Sequence, residues 1–246
     1  MSWKKKLTTC ALLGGTAAGM MHVVNRLVYY ISTIDNLLYH KDEKYYDWRF
    51  GRIFYTKQGS GSPILLIHDL NVISSSYEWN KIVETLSQTN TVYTIYLLGW
   101  GRSDKPNLTY TNYLYVQLIT DFIKHIICSK TDVIATGESG TFVLMACAND
   151  NTVIDKVMLV NPQNLVTLAK IPTKRTKLLR HFISTPIIGT FAYNMLINKR
   201  TIEDSFRTQY YYDQNKIEER SIMTCFESSH KSNTRSKYLY ASMKSR

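Results

Sequence analysis

Thr131-Asp132-Val133-Ile134-Ala135-Thr136, followed by Gly137-Glu138-Ser139-Gly140-Thr141, decides how this chain is read. The first six residues form an apolar, β-branched run of strand length. Behind the glycines, Phe142–Asn149 is an apolar run of helical character. A serine among small residues on a strand–turn–helix junction reads as a nucleophile elbow. There a sharp turn exposes the hydroxyl, and only small neighbours let the backbone pass closely. Ser139 is therefore the candidate nucleophile. The blander reading is a serine that caps the following helix. Thr141 stands where the last small residue of the pattern belongs, and its β-branched side chain predicts a slightly displaced turn.

The neighbouring segments extend the pattern in both directions. Trp48–Thr56 reads as a strand or hairpin arm, ended by the turn Gly59-Ser60-Gly61-Ser62-Pro63. Pro63–His68 is a continuous apolar run, as expected for a strand buried on both faces. Ser74–Leu86 has helical spacing that puts Trp79, Ile82, Val83 and Leu86 on one side. Thr91–Leu98 is a further strand, and Gly99–Pro106 a glycine-bearing loop. Leu114–Ile127 is an amphipathic helix with Leu118, Ile119, Phe122, Ile123, Ile126 and Ile127 inward. Val157–Val160 is a short strand. This alternation with short connections specifies an α/β fold, a mainly parallel sheet with crossover helices.

Beyond Pro162 the pattern changes. Thr176–Ser184, Ile187–Asn198 and Arg200–Tyr212 are helical, with no strand alternation. This basic, Tyr-rich region reads as a helical cap over the carboxyl edge of the sheet, with an apolar acyl pocket beneath it. The expected division is an N-terminal helical segment at 1–47, the α/β core at 48–165 and the cap at 166–246.

The net charge of +11 over 246 residues is unevenly spread. Residues 1–60 carry +5, residues 61–165 carry −3, and residues 166–246 carry +9. A basic periphery fits an anionic membrane surface or anionic substrates. Nucleic acid is not expected, because no nucleic-acid-binding motif accompanies the charge. Cys10, Cys128, Cys147 and Cys225 make no CxxC pair, which argues for a reducing compartment and against a disulfide framework or metal site. Cys128 and Cys147 read as small buried hydrophobes. Lys4-Lys5-Lys6 precedes the apolar run Leu7–Val24. Three readings fit it: a membrane-associated helix, a helix packed on its own domain, and a secretory signal with Thr16-Ala17-Ala18 as cleavage site. The cysteine usage weighs against secretion, leaving a cytoplasmic or membrane-associated protein.

From about Arg49 to Asn161 the chain resembles the α/β-hydrolase superfamily. The resemblance rests on four ordered features. These are His68-Asp69 for the usual His-Gly, Ser75/Ser76 with Trp79, the loop Leu97-Leu98-Gly99-Trp100-Gly101-Arg102-Ser103-Asp104-Lys105-Pro106, and the Gly137–Thr141 elbow. It implies Ser139 as nucleophile, with the backbone N–H groups of Leu70 and Gly140 as the oxyanion hole. It also implies hydrolysis of a small ester or related acyl compound, without cofactor or metal. Two departures stand out. Asp69 replaces a glycine, placing a carboxylate beside an anion site unless it is paired or turned away. Tyr96 replaces a strand-ending aspartate.

The acid and base are the gap in the pattern. Asn161, Pro162, Gln163 and Asn164 follow the last strand without a carboxylate. Only His181 and His230 follow Ser139. His181 sits among Leu178, Leu179 and Phe182 on a helix, and His230, in a polar, loop-like stretch, is the weak candidate base. The expectation is a hydrolase that is truncated and inactive as given, its sheet exposed along one edge. The alternative is a non-catalytic hydrolase-like protein that binds a membrane or a partner.

Overall fold

The computed structural model describes residues 3–163 and 174–244. The expected boundary between core and cap at 165–166 lies outside the described residues. The chain opens with helix α1 (Trp3–Thr33), followed by the hairpin β1 (Lys44–Trp48) and β2 (Gly51–Gln58). β1 thus begins inside the segment read as N-terminal and helical. Next come β3 (Ser62–Ile67), a 3-10 turn at Ser76–Trp79, α2 (Asn80–Leu86), β4 (Asn90–Ile95) and α3 (Asn112–Phe122). β5 (Thr131–Thr136), α4 (Ser139–Asn149) and β6 (Ile154–Val160) complete the alternating part. The cap holds α5 (Lys174–Ser184), α6 (Ile188–Leu196), α7 (Lys199–Ser205), α8 (Glu219–Thr234) and α9 (Lys237–Met243).

The strands form one sheet in the order β1-β2-β4-β3-β5-β6. β1 and β2 run antiparallel to each other and β2 antiparallel to β4, while the pairs β3–β4, β3–β5 and β5–β6 are parallel. The continuous apolar run in β3 works as expected. Leu65 and Ile67 enter the main core with α3 and α4, while Ile64 and Leu66 face a smaller cluster under Trp79 and α2. Chain order reverses at β3, whose two neighbours are the later strands β4 and β5. A crevice at the carboxyl ends of strands at such a switch point is where open α/β sheets hold ligands.

Three local expectations are corrected. Of the expected face only Trp79 is buried; Val83 and Leu86 pack half-buried beside it, and Ile82 is exposed. Leu114–Ile127 is α-helical only to Phe122 and then widens into a π turn ending at Cys128, a left-handed, exposed residue rather than a buried hydrophobe. The region after Tyr212 holds two helices that the sequence pattern did not assign, α8 and α9.

The N-terminal segment is held onto the domain by buried polar groups. The Asn25 amide donates to the Ile187 carbonyl at 3.0 Å and its oxygen accepts from Asn194 at 3.0 Å. Glu227 of α8 is fully buried, and its Oε2 accepts from the Leu37 N–H at 2.6 Å while Lys231 pairs with Oε1 at 2.7 Å. The other half of α1 is different, since every residue from Trp3 to Thr16 is exposed.

β6 is an edge strand, with Met158 60% exposed and Val160 38% exposed. Such an edge presents unpaired backbone groups and apolar side chains to other chains. Met158→Lys is expected to lower the fraction of large species in sedimentation velocity while shifting unfolding by no more than about 0.5 kcal/mol. An unchanged size distribution counts against β6 as the associating edge.

Candidate active site

β3 ends at Ile67 and β5 at Thr136, and in the sheet Ile67 lies opposite Ala135. The loop after β3 and the turn after β5 are therefore brought together by strand pairing.

His68 is fully buried in the junction. Its Nε2 accepts the Leu97 N–H at 3.1 Å, so the ring proton sits on Nδ1 and donates to the Asp69 carbonyl at 2.8 Å. Burial pushes its pKa down to about 4, so the ring is neutral and braces the loop. The loop after β4 supports it further. Trp100 Nε1 donates to the Asn71 carbonyl at 2.7 Å, and Ser103 Oγ bridges the Tyr96 carbonyl and the Phe54 N–H. Tyr96 is itself buried, and its ring packs under Gly101, where an added Cβ would lie 2.3 Å from it.

The sharp turn falls at Gly137, whose φ of +55° is in the left-handed region. Ser139 lies two residues later, as the first residue of α4. Its side chain is fully buried, and Oγ donates to the His68 carbonyl at 2.5 Å. The turn thus falls two residues earlier than the pattern places it, at Gly137 instead of Ser139. It also changes the donors. The residue after the turn is Glu138, and its N–H and that of Leu70 converge on one oxygen, Asp69 Oδ1, at 2.8 and 2.7 Å. The expected partnership of Leu70 with Gly140 is not the one the structure makes. Gly140 already lies within α4, and its N–H points back to the Gly137 carbonyl at 3.4 Å.

Asp69 is the residue around which these groups gather. Burial raises its carboxyl above the usual carboxylate range, against the two amides that lower it. Its own N–H donates to Glu78 Oε1 at 3.2 Å, the oxygen that also accepts from Thr136 Oγ1 at 2.6 Å. The sequence reading passed over Glu78, since nothing in the local pattern separates it from a solvated helix residue.

Above the junction is a cavity of about 510 Å³. Asp69, Asn71, Val72, Ile73 and Glu138 form its floor, and Leu196, Ile197, Thr201, Ser205, Gln209, Tyr240, Met243 and Lys244 its walls and roof. That volume is ordinary for a small-molecule site. Its lining is about equally polar and apolar in residue type, which corrects the expected apolar acyl pocket. Ser139 and His230 are not among the lining residues.

His230 is also corrected in its setting. It lies on α8, not on a loop, and is fully buried. Its Nδ1 is 2.9 Å from both the Phe226 carbonyl and Ser229 Oγ, and its ring packs on Phe226 and Tyr193. Burial pushes its pKa down to about 4. His181 sits exposed on α5. Among the described residues no group of three or more His, Cys, Asp or Glu side chains is placed to hold a metal ion.

This sheet order, switch-point crevice and helical cap define an α/β-hydrolase-fold protein. Comparison with solved structures agrees. The chain is similar to an epoxide hydrolase, CorEH, with a TM-score of 0.65 at 16% identity, covering 83% of this chain and 73% of that one. It is also similar to an α/β hydrolase fold protein from Burkholderia ambifaria, with a TM-score of 0.54 at 21% identity, covering 82% and 74%. Among curated proteins it is 25% identical over 114 residues to 2-hydroxy-6-oxo-6-(2'-aminophenyl)hexa-2,4-dienoic acid hydrolase of Metapseudomonas resinovorans, covering 46% of this chain and 39% of that protein. The chain spans well under half the length of the curated relatives it matches. No protein-family model matches it.

The buried His68 and His230 give the fold a pH signature. Each has a folded pKa near 4, below its ordinary value of 6.5. Between those values the unfolded chain binds protons that the folded chain does not. Stability is therefore lost as pH falls from about 6.5 to about 4, by about 3 kcal/mol for each histidine. In His230→Met, denaturant melts across this range should show that loss reduced by about 3 kcal/mol relative to the parent. An identical pH slope in both proteins would contradict a neutral, buried His230.

Proposed function

We propose that this α/β-hydrolase-fold chain binds a small molecule in the cavity between the β3–β5 junction and the cap, without covalent chemistry at Ser139. The observation that carries this reading is the pair of facts at the elbow. The left-handed turn residue is a glycine, and the Ser139 hydroxyl is committed to the His68 carbonyl below the cavity floor. A nucleophile must reach both its base and the reacting atom, and neither contact is available to Oγ in this arrangement.

Serine hydrolysis of a small ester or related acyl compound is the second reading. It draws on the hydrolases to which the chain is similar and on the position of Ser139 beside the turn. A fluorophosphonate probe separates the two. The first reading expects no labelling that depends on Ser139. It also expects small alcohols and amides to move the methyl resonances of Ile73, Ile197 and Met243, equally in the parent and in Ser139→Ala. Labelling abolished by Ser139→Ala would establish the second reading instead.

For α1 we propose lipid contact. It is the one helix among the described residues long and apolar enough to cross a membrane, with a mean hydropathy of 1.4 over its most apolar window. Its first half is exposed and opens with Lys4, Lys5 and Lys6. A basic cluster beside an apolar helix attracts anionic headgroups, at about 1 kcal/mol per lysine. The full chain is expected to co-sediment with phosphatidylserine vesicles at low salt. Replacing the three lysines by glutamine should weaken that binding at least about tenfold. No binding to such vesicles rejects the lipid reading.

A further inference from the structure

We infer that the Asp69 carboxylate is the built-in occupant of the position where this fold holds a developing oxyanion, and that Gly137 is the residue that makes room for it. The inference extends the small-molecule reading of the cavity and rests on it for the identity of the site.

The oxyanion position is defined by its donors. In an α/β-hydrolase fold these are the N–H of the residue after the sharp turn and an N–H from the loop after the third strand. Here they are Glu138 and Leu70, and both donate to Asp69 Oδ1, at 2.8 and 2.7 Å. Each length is that of a strong, charge-assisted bond. A single oxygen that accepts from both amides takes the place of the substrate oxygen.

Gly137 completes the argument from the other side. A Cβ added there would lie 2.1 Å from Asp69 Oδ1 and 2.4 Å from its Cγ. Those distances are impossible for non-bonded atoms. Any side chain on the turn, a nucleophilic serine or aspartate included, therefore excludes the observed Asp69 conformation. Conversely, this Asp69 conformation excludes a nucleophile on the turn. The two positions form one steric unit.

The consequence concerns ligand chemistry. The floor of the cavity would offer an acyl carbonyl two N–H donors if Asp69 were absent. With Asp69 in place it offers a carboxylate instead. A group lying against Asp69 must therefore bring its own N–H or O–H. The favoured ligands are amines, amides or alcohols that present a donor, and the disfavoured ones are esters and acids that present an acceptor.

Amide NMR on the full-length labelled chain tests this without using any labelling at Ser139. Glu78 accepts from the Asp69 N–H, and burial pushes its carboxyl up to about 8, so it titrates beside Asp69. Every titration is therefore run in a Glu78→Gln background, which serves as the parent. There the Leu70 and Glu138 amide protons should shift together in one pH step, its midpoint above the usual carboxylate range. Acetate up to tens of millimolar should leave both unmoved. In Asp69→Gly the pH step should vanish, and acetate should move both amides with one common saturation curve. In Asp69→Asn an acceptor oxygen remains, so the step should vanish while acetate still has no effect. Separate midpoints for the two amides in the parent, or acetate shifts in the parent matching those in Asp69→Gly, would overturn the inference. If Asp69→Gly does not fold, the parent titration and Asp69→Asn decide it. Failure of the cavity reading would show elsewhere, as methyl groups of Ile73, Ile197 and Met243 that respond to no small molecule.

Discussion

Parallel pairing of β3 with β5 is the constraint from which the rest of this end of the molecule follows. Neighbouring strands lie about 4.8 Å apart, so the residues just beyond their carboxyl ends must share one small volume. His68-Asp69 and Gly137 are those residues. Neither can be accommodated without reference to the other. His68 then fixes the height of the β3 loop by bonding to Leu97 on the far side, and Glu78 and Thr136 tie the loop to the end of β5. The cap adds one tie to this bracing, the Tyr210 hydroxyl, which accepts from the Asn71 amide at 3.0 Å. Its other residues here roof the space above.

The sheet itself was legible in the sequence because burial on both faces leaves a plain signature. The run Pro63–His68 contains few residues that could face water, while Thr131–Thr136 alternates buried and half-buried positions, and both became central strands. The elbow was legible as a location but not in its register. Gly137-Glu138-Ser139-Gly140 contains two glycines and a serine, and a pattern match places the serine at the apex. The chain instead turns at the first glycine, because Gly137 alone can take a positive φ with Asp69 pressed against it. A contact between residues 68 positions apart leaves no trace in local spacing.

The cap illustrates the opposite difficulty. Its helices are short and their polar residues numerous, so hydrophobic periodicity marks them weakly. Glu227, Ser228, Ser229 and His230 read as a solvated loop. They are buried because α8 lies between α1 and the core, with Glu227 satisfied by the backbone of Leu37 and Leu38. A polar run is buried where its partners are supplied from elsewhere in the chain, and sequence alone does not show those partners.

A carboxylate in an oxyanion position appears paradoxical only if the position is considered specific for a reaction. Two preorganised amides stabilise negative charge on any oxygen placed between them. Asp69 differs from a substrate oxygen in being tethered. Well-oriented intramolecular groups reach effective concentrations of roughly 10⁵ M or more, which corresponds to about 7 kcal/mol against a competitor at 1 M. A carbonyl oxygen of a bound ester carries only partial charge and would have to displace a full one. The elbow geometry that makes this fold suited to acyl transfer therefore works here in favour of its own side chain. Desolvation at the cavity floor offsets part of that advantage, because burial raises the carboxyl against the pull of the amides. Protonation of Asp69 is accordingly the step that would weaken its hold on the two amides, and the one through which acid conditions would expose them to an outside ligand.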